Sequence, residues 1–101
     1  MNNETIAQGT IRLQYVGLVS AIPAEALAVG MFLMWNGGAL TRVERIRPAP
    51  GKNQAFLIID ELADSGKLYE RKLKRERLVC GFWPKDKTRA YFEAALDKAQ
   101  G

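Results

Sequence analysis

Histidine is absent from this 101-residue chain. Its absence removes Ser-His and Cys-His nucleophile pairs and the commonest transition-metal ligand. Cysteine occurs once, as Cys80, which excludes an internal disulfide and any Cys-rich zinc site. Because Cys80 lies in the apolar run Leu78 to Trp83, it reads as a buried, inert thiol. The only serines, Ser20 and Ser65, sit in no nucleophile-elbow pattern. No apolar run approaches the roughly 18–20 residues that a membrane-spanning helix needs. Met1 to Gln8 is polar and lacks the charged-then-apolar layout of a secretory signal. These absences lead us to expect a cytoplasmic, non-enzymatic chain with no catalytic residues, no cofactor, no metal site and no membrane contact.

What is present suffices for one folded domain. The chain is 48% hydrophobic and carries nine aromatic residues, enough for one modest core. Its net charge of +4 is unevenly placed. Before Arg42 the only basic residue is Arg12, set against Glu4 and Glu25. The positive charge belongs to the rest of the chain, a distribution that bears on partners.

The local patterns predict strands. Residues 1–8 read as a flexible arm. From Thr10, apolar residues Ile11, Leu13, Tyr15 and Val19 alternate with Arg12, Gln14 and Ser20, which predicts a first strand. Val16 and Leu18 blur the alternation. Pro23 to Leu27 fits a single helical turn, and Gly30 resets the backbone. The run Met31–Trp35 meets Asn36-Gly37-Gly38, a strong hairpin signal because Asn and Gly accept positive φ cheaply. A basic strand follows from Ala39 to Arg47. Its parity returns Ile46 to the core only if a bulge falls near Glu44-Arg45, leaving Arg42, Glu44, Arg45 and Arg47 outside.

The segment Gln54–Leu62 reads as a central strand, apolar on both faces. The turn Asp64–Lys67 suits a left-handed Gly66. Leu68–Lys74 returns antiparallel, with Tyr69 and Leu73 facing one way and Glu70, Lys72 and Lys74 the other. A helix through Tyr69–Val79 is the rival, but the apolar spacing there is nearer five than 3.6. A last strand, Leu78–Trp83, stops at Pro84. Lys87–Gln100 is a clear helix, with Tyr91, Phe92, Ala95, Leu96 and Ala99 as its stripe and Thr88 or Asp86 as its cap. We therefore expect a mainly β fold: an antiparallel barrel of five or six strands over residues 9–84. A C-terminal α-helix over residues 85–101 would pack on or beside it.

Three features bear on function. Arg71-Lys72-Leu73-Lys74-Arg75-Glu76-Arg77 is densely basic. With Arg42, Arg45, Arg47 and Lys52, the residues Arg71, Lys72, Lys74 and Arg75 are expected to form one electropositive face that suits RNA or DNA phosphates. Trp35, Trp83, Phe82 and Tyr69 are candidate stacking platforms, though each also suits the core. Asp60, Glu61 and Asp64 read as an exposed acidic turn with too few donors for a cation cage. The alternative partner is a single protein, held by a sheet edge or apolar patch of an interaction module such as phages and mobile elements encode. Monomer and homodimer both stay open.

The loop Pro50-Gly51-Lys52-Asn53-Gln54-Ala55-Phe56, after Gly30, the strand Met31–Trp35 and the turn Asn36-Gly37, carries a resemblance. Residues 30–74 are similar to the amino-terminal barrel of the elongation factor P family. That resemblance implies an SH3-like topology for the barrel. It also implies a loop lysine, here Lys52, of the kind that reaches into the ribosome and can be modified in that family. Asn53 stands where the family has glycine, and the final helix has no counterpart there.

Overall fold

The computed structural model describes residues 9–51 and 54–101. Seven strands and one helix follow in order: β1 Gly9–Leu13, β2 Gly17–Pro23, β3 Phe32–Met34, β4 Leu40–Pro48, β5 Phe56–Ala63, β6 Leu68–Lys74, β7 Leu78–Phe82 and α1 Asp86–Gln100. The strands form one antiparallel sheet in the order β1-β2-β7-β3-β4-β5-β6. The architecture is thus mainly β with a C-terminal helix, as expected. The sheet is open, with β1 and β6 at its edges.

The expected single first strand is in fact a hairpin. β1 pairs with β2 from Gly9↔Ala21 to Leu13↔Gly17. The blur at Val16 and Leu18 marks the point where the chain turns. Val16 N–H donates to the Leu13 carbonyl (3.1 Å), Tyr15 adopts φ +67° and Gly17 φ +107°. A left-handed tyrosine, 90% exposed, is strained because its Cβ crowds the backbone. Tyr15→Gly should relieve this, offset in part by a more flexible unfolded chain. We expect a net gain of about 0.5–1 kcal/mol, read as a higher urea midpoint. A lower midpoint would show that the ring itself supports the turn.

Elsewhere the local chemistry acts as the patterns suggest. Asn36-Gly37-Gly38 forms the β3–β4 loop, with both glycines at positive φ. Gly30 (φ +98°) directs the chain into β3, and its N–H donates to the Val43 carbonyl (2.9 Å). The β4–β5 register shifts between Val43 and Arg45, so a bulge lies where parity demanded one and Ile46 packs on the core. Residues 68–74 are a strand. The helix begins at Asp86 after Lys85, with no side-chain cap, contrary to the expected role of Thr88 or Asp86. Asp86 instead accepts from Arg89 (2.8 Å).

The core lies on the inner face of the curled sheet. Leu33, Val43, Leu57, Ile59, Leu73 and Val79 meet Ala24, Leu27 and Met31 there. A short 3-10 turn, Ala24–Ala26, covers one end. Its N–H groups at Ala24 and Glu25 donate to the carbonyls of Arg77 (2.8 Å) and Arg75 (2.9 Å). Only residues 75–77 join β6 to β7, so the two strand ends lie within roughly 15 Å of each other. That short tether explains how Leu73 and Val79, on strands that do not pair, share one core. Cys80 is buried beside it, and burial pushes its thiol above the ordinary range against a backbone hydrogen bond at Met34.

The helix covers part of the outer face. Phe32, Arg42 and Phe82 share one cross-strand row. Phe92 closes over that row, its ring 4.8 Å from the Phe32 ring and 5.6 Å from the Arg42 guanidinium carbon. Phe32 and Phe92 are each 1% exposed. Ala95 and Leu96 are half-buried, but Tyr91 and Ala99 face solvent, so the helix docks by a narrower stripe than expected.

Candidate nucleic-acid interface

Strand alternation and the β4 bulge decide where the charges fall. On the outer face, register places Arg47, Ile58 and Lys72 in one row. Arg45, Asp60 and Glu70 form the next, and Arg42, Leu62 and Leu68 the one beyond. Phe56 stands opposite Lys74 at the far end. Successive rows lie roughly 7 Å apart along the strands.

Acids neutralise one part of this face. Arg42 pairs with Glu44 (2.5 Å). Arg47 pairs with Asp60 (3.1 Å) and Glu70 (2.5 Å). The Glu70 hydrogen bond first, then that of Asp60, holds the Arg47 guanidinium charged even more firmly than usual. Arg45 lies directly across from Asp60 in register.

The other end of the face stays positive. The Lys72 ammonium sits 4.8 Å from the Phe56 ring centroid. Lys74 is the register partner of Phe56. Arg75, in the connector after β6, donates through Nε to the Gln54 carbonyl. None of Lys72, Lys74 and Arg75 forms an ion pair among the described residues. Arg47, Lys72, Lys74 and Arg75 are therefore brought together around Phe56. Arg42 and Arg45 lie farther along the same face among acids. Lys52 falls outside the described residues.

Arg71 belongs to the opposite face. Alternation along β6 puts it with Tyr69 and Leu73, turned inward, where it meets Glu61. Glu61 was read as part of an exposed acidic turn, and this is corrected: it is 0% exposed. Its neighbours divide, since Asp60 turns outward to Arg47 and Asp64 is exposed in the turn. Glu61 Oε1 accepts from Thr41 Oγ1 (2.6 Å) and from Trp35 Nε1 (2.9 Å). Arg71 Nε approaches Oε2 to 2.8 Å, but off the line of its N–H bond, so charge rather than a directed hydrogen bond holds the pair. The Arg71 guanidinium carbon lies 4.1 Å from the Trp35 ring centroid and 5.5 Å from that of Tyr69. The indole and hydroxyl thus satisfy Oε1 of the buried carboxylate, while Oε2 is balanced by the Arg71 charge alone. A cleft of about 470 Å³ lies beside them, lined by Trp35, Thr41, Tyr69, Arg71, Tyr91 and Phe92 among others.

The aromatic candidates separate accordingly. Trp35 and Tyr69 are engaged with Arg71, and Phe82 packs near Phe32 with ring centroids 6.3 Å apart. Trp83 is half exposed, against Gly30 rather than near the cations. Phe56, absent from those candidates, is the ring among the basic side chains. Register places it on the outer face, two residues from Ile58 and four from Asp60.

Comparisons with protein families, curated proteins and solved structures returned no match. The site is therefore read from its own chemistry.

Proposed function

We propose that this chain is a non-enzymatic nucleic-acid or ribonucleoprotein binder acting through the basic end of the β4–β5–β6 face. The observation that carries this reading is the group Lys72, Lys74 and Arg75 around Phe56, without acidic partners among the described residues. Cations beside a half-buried ring suit a flexible strand, because phosphates pair with the charges while a base meets what the ring leaves open. Arg47 flanks the group, and Arg42, Arg45 and Lys52 would extend the contact. Arg71 would take no direct part, since Glu61 already compensates its charge.

On this reading the curled sheet is an SH3-like barrel left open between its edge strands β1 and β6, in keeping with its resemblance to the elongation factor P barrel. A soluble cytoplasmic setting fits such a partner.

The test is anisotropy of a labelled single-stranded RNA 20-mer across a salt series. Three phosphate contacts predict about 20-fold weaker binding between 50 and 200 mM salt. Replacing Lys72, Lys74 and Arg75 together with alanine should remove most of that dependence. Flat salt dependence, or no binding in low salt, would discard the reading.

A second reading, a protein-interaction module, draws on a different observation. The β1–β2 tip exposes Tyr15, Val16 and Leu18 together, and Tyr15 is held in a strained conformation. Strain retained at an exposed tip suits contact with a folded partner. Binding of that kind would survive high salt.

A further inference from the structure

The outer edge of β6 is unpaired among the described residues. Edge strands are commonly blunted by proline, by a bulge or by a covering element. β6 contains no proline and its register with β5 runs unbroken from Phe56↔Lys74 to Leu62↔Leu68, but it carries lysines (Lys72, Lys74) and the inward-pointing Arg71, so only a strand that matches those charges can pair with it.

Hydrogen-bond parity identifies which backbone groups face outward. Ala63 N–H donates to the Lys67 carbonyl (2.9 Å), and Arg75 N–H to the Ala55 carbonyl (3.0 Å). In an antiparallel ladder the bonded pairs recur every second residue, so Tyr69, Arg71 and Leu73 bond to β5. The N–H and C=O groups of Leu68, Glu70 and Lys72 then point away from the sheet. The Lys74 carbonyl is already taken by the Arg77 N–H (3.1 Å).

We infer that β6 pairs antiparallel with β6 of a second copy of this chain, about a two-fold axis at Arg71. Only outward-facing residues can form the bonded pairs, and three registers centred on the strand satisfy this. One sets Glu70 against Glu70. Another sets Lys72 against Lys72. The third sets Glu70 of each copy against Lys72 of the other, twice by symmetry, with Tyr69 opposite Leu73. That register alone sets no like charges opposite each other on the outer face, and opposite charges directly across a ladder are favourable. Arg71 meets its own copy on the inner face, but each guanidinium is drawn back onto Trp35 and balanced by Glu61.

The axis stands perpendicular to the sheet, so both outer faces lie on the same side, with the basic end of each copy beside the Leu68 end of the other. The inference does not depend on nucleic-acid binding, and its test uses protein alone.

Sedimentation equilibrium of the full chain should show a monomer–dimer equilibrium with a Kd of about micromolar order. Glu70→Lys and Lys72→Glu each place like charges across the axis twice. Each variant alone should dimerise at least about tenfold more weakly. An equal mixture of the two should regain dimerisation as a heterodimer, because two acids then face two bases. The doubly swapped Glu70→Lys, Lys72→Glu chain should dimerise like the parent. Circular dichroism confirms that each variant is folded. A parent that stays monomeric to millimolar concentration overturns the inference. So do single variants that dimerise unchanged, a mixture that stays monomeric, or assembly into open-ended oligomers.

Discussion

Replacing Glu61 with alanine is expected to cost the fold about 2–4 kcal/mol, chiefly for two donors left without their acceptor, because Arg71, 35% exposed, can be hydrated in part. The reason lies in what remains. Arg71 would keep a charge beside Trp35 with its counter-charge gone, and Trp35 Nε1 and Thr41 Oγ1 would both lose their acceptor. A domain of this size loses roughly 4–8 °C in Tm per kcal/mol, so the midpoint should fall by about 10–30 °C. Glu61→Gln keeps an acceptor for Trp35 and Thr41 but leaves Arg71 uncompensated, and should fall between parent and alanine variant. Removing both charges with Glu61→Leu and Arg71→Met should cost clearly less than the sum of the single changes, because neither charge is then orphaned. Calorimetry on the four chains closes the cycle. If Glu61→Ala lost under about 1 kcal/mol, the carboxylate would have to be hydrated, and the cluster would not organise this end of the core.

Phe92→Ala should produce a loss of similar size, about 3–5 kcal/mol, by a different route. The ring is 1% exposed and lies 4.8 Å from Phe32, whose own ring it covers. A 15-residue helix is marginal by itself in water, so its order comes from this docking. The truncation should therefore melt α1 as well as loosen the sheet. Helical ellipticity at 222 nm would fall before the global transition, and amide exchange in residues 86–100 would accelerate. Tyr91, its neighbour in sequence, is 73% exposed. Tyr91→Ala should stay within about 0.5 kcal/mol of the parent. Equal effects at the two positions would mean that the helix docks by another face.

How far the chain could be read in advance depended on whether the deciding interaction was local. The turns at Asn36-Gly37 and Gly66 followed from the φ values those residues tolerate. The β4 bulge followed from a parity conflict between Val43 and Ile46, which a single extra residue resolves. Strand was preferred to helix for residues 68–74 because apolar spacing reports the period directly. The turn at Tyr15 was not legible in the same way, since an aromatic residue in a left-handed turn contradicts its own preference. The hairpin there is held from outside: the Asn36 side chain accepts from the Gln14 N–H (2.7 Å), and the Gln14 carbonyl accepts from Gly37 (2.6 Å).

The basic run between Arg71 and Arg77 shows the same division. Alternation alone separated Tyr69 and Leu73 from Glu70, Lys72 and Lys74, and Arg71 follows the inward pair by the same count. A composition-based view of the run placed it with the exposed cations. Its true setting required Glu61 and Trp35, distant in sequence, to meet it across the inner face.

Residue order by itself determined the β class, most strand limits, the terminal helix and the segregation of positive charge, because these rest on periodicity and backbone preference within a few neighbours. The three-dimensional arrangement decided that the sheet stays open, which edge is left unpaired, which cations acids neutralise and which carboxylate is buried. Those outcomes depend on strand order and register, and pairings between remote segments are specified by the packing of the whole core rather than by any one stretch of chain.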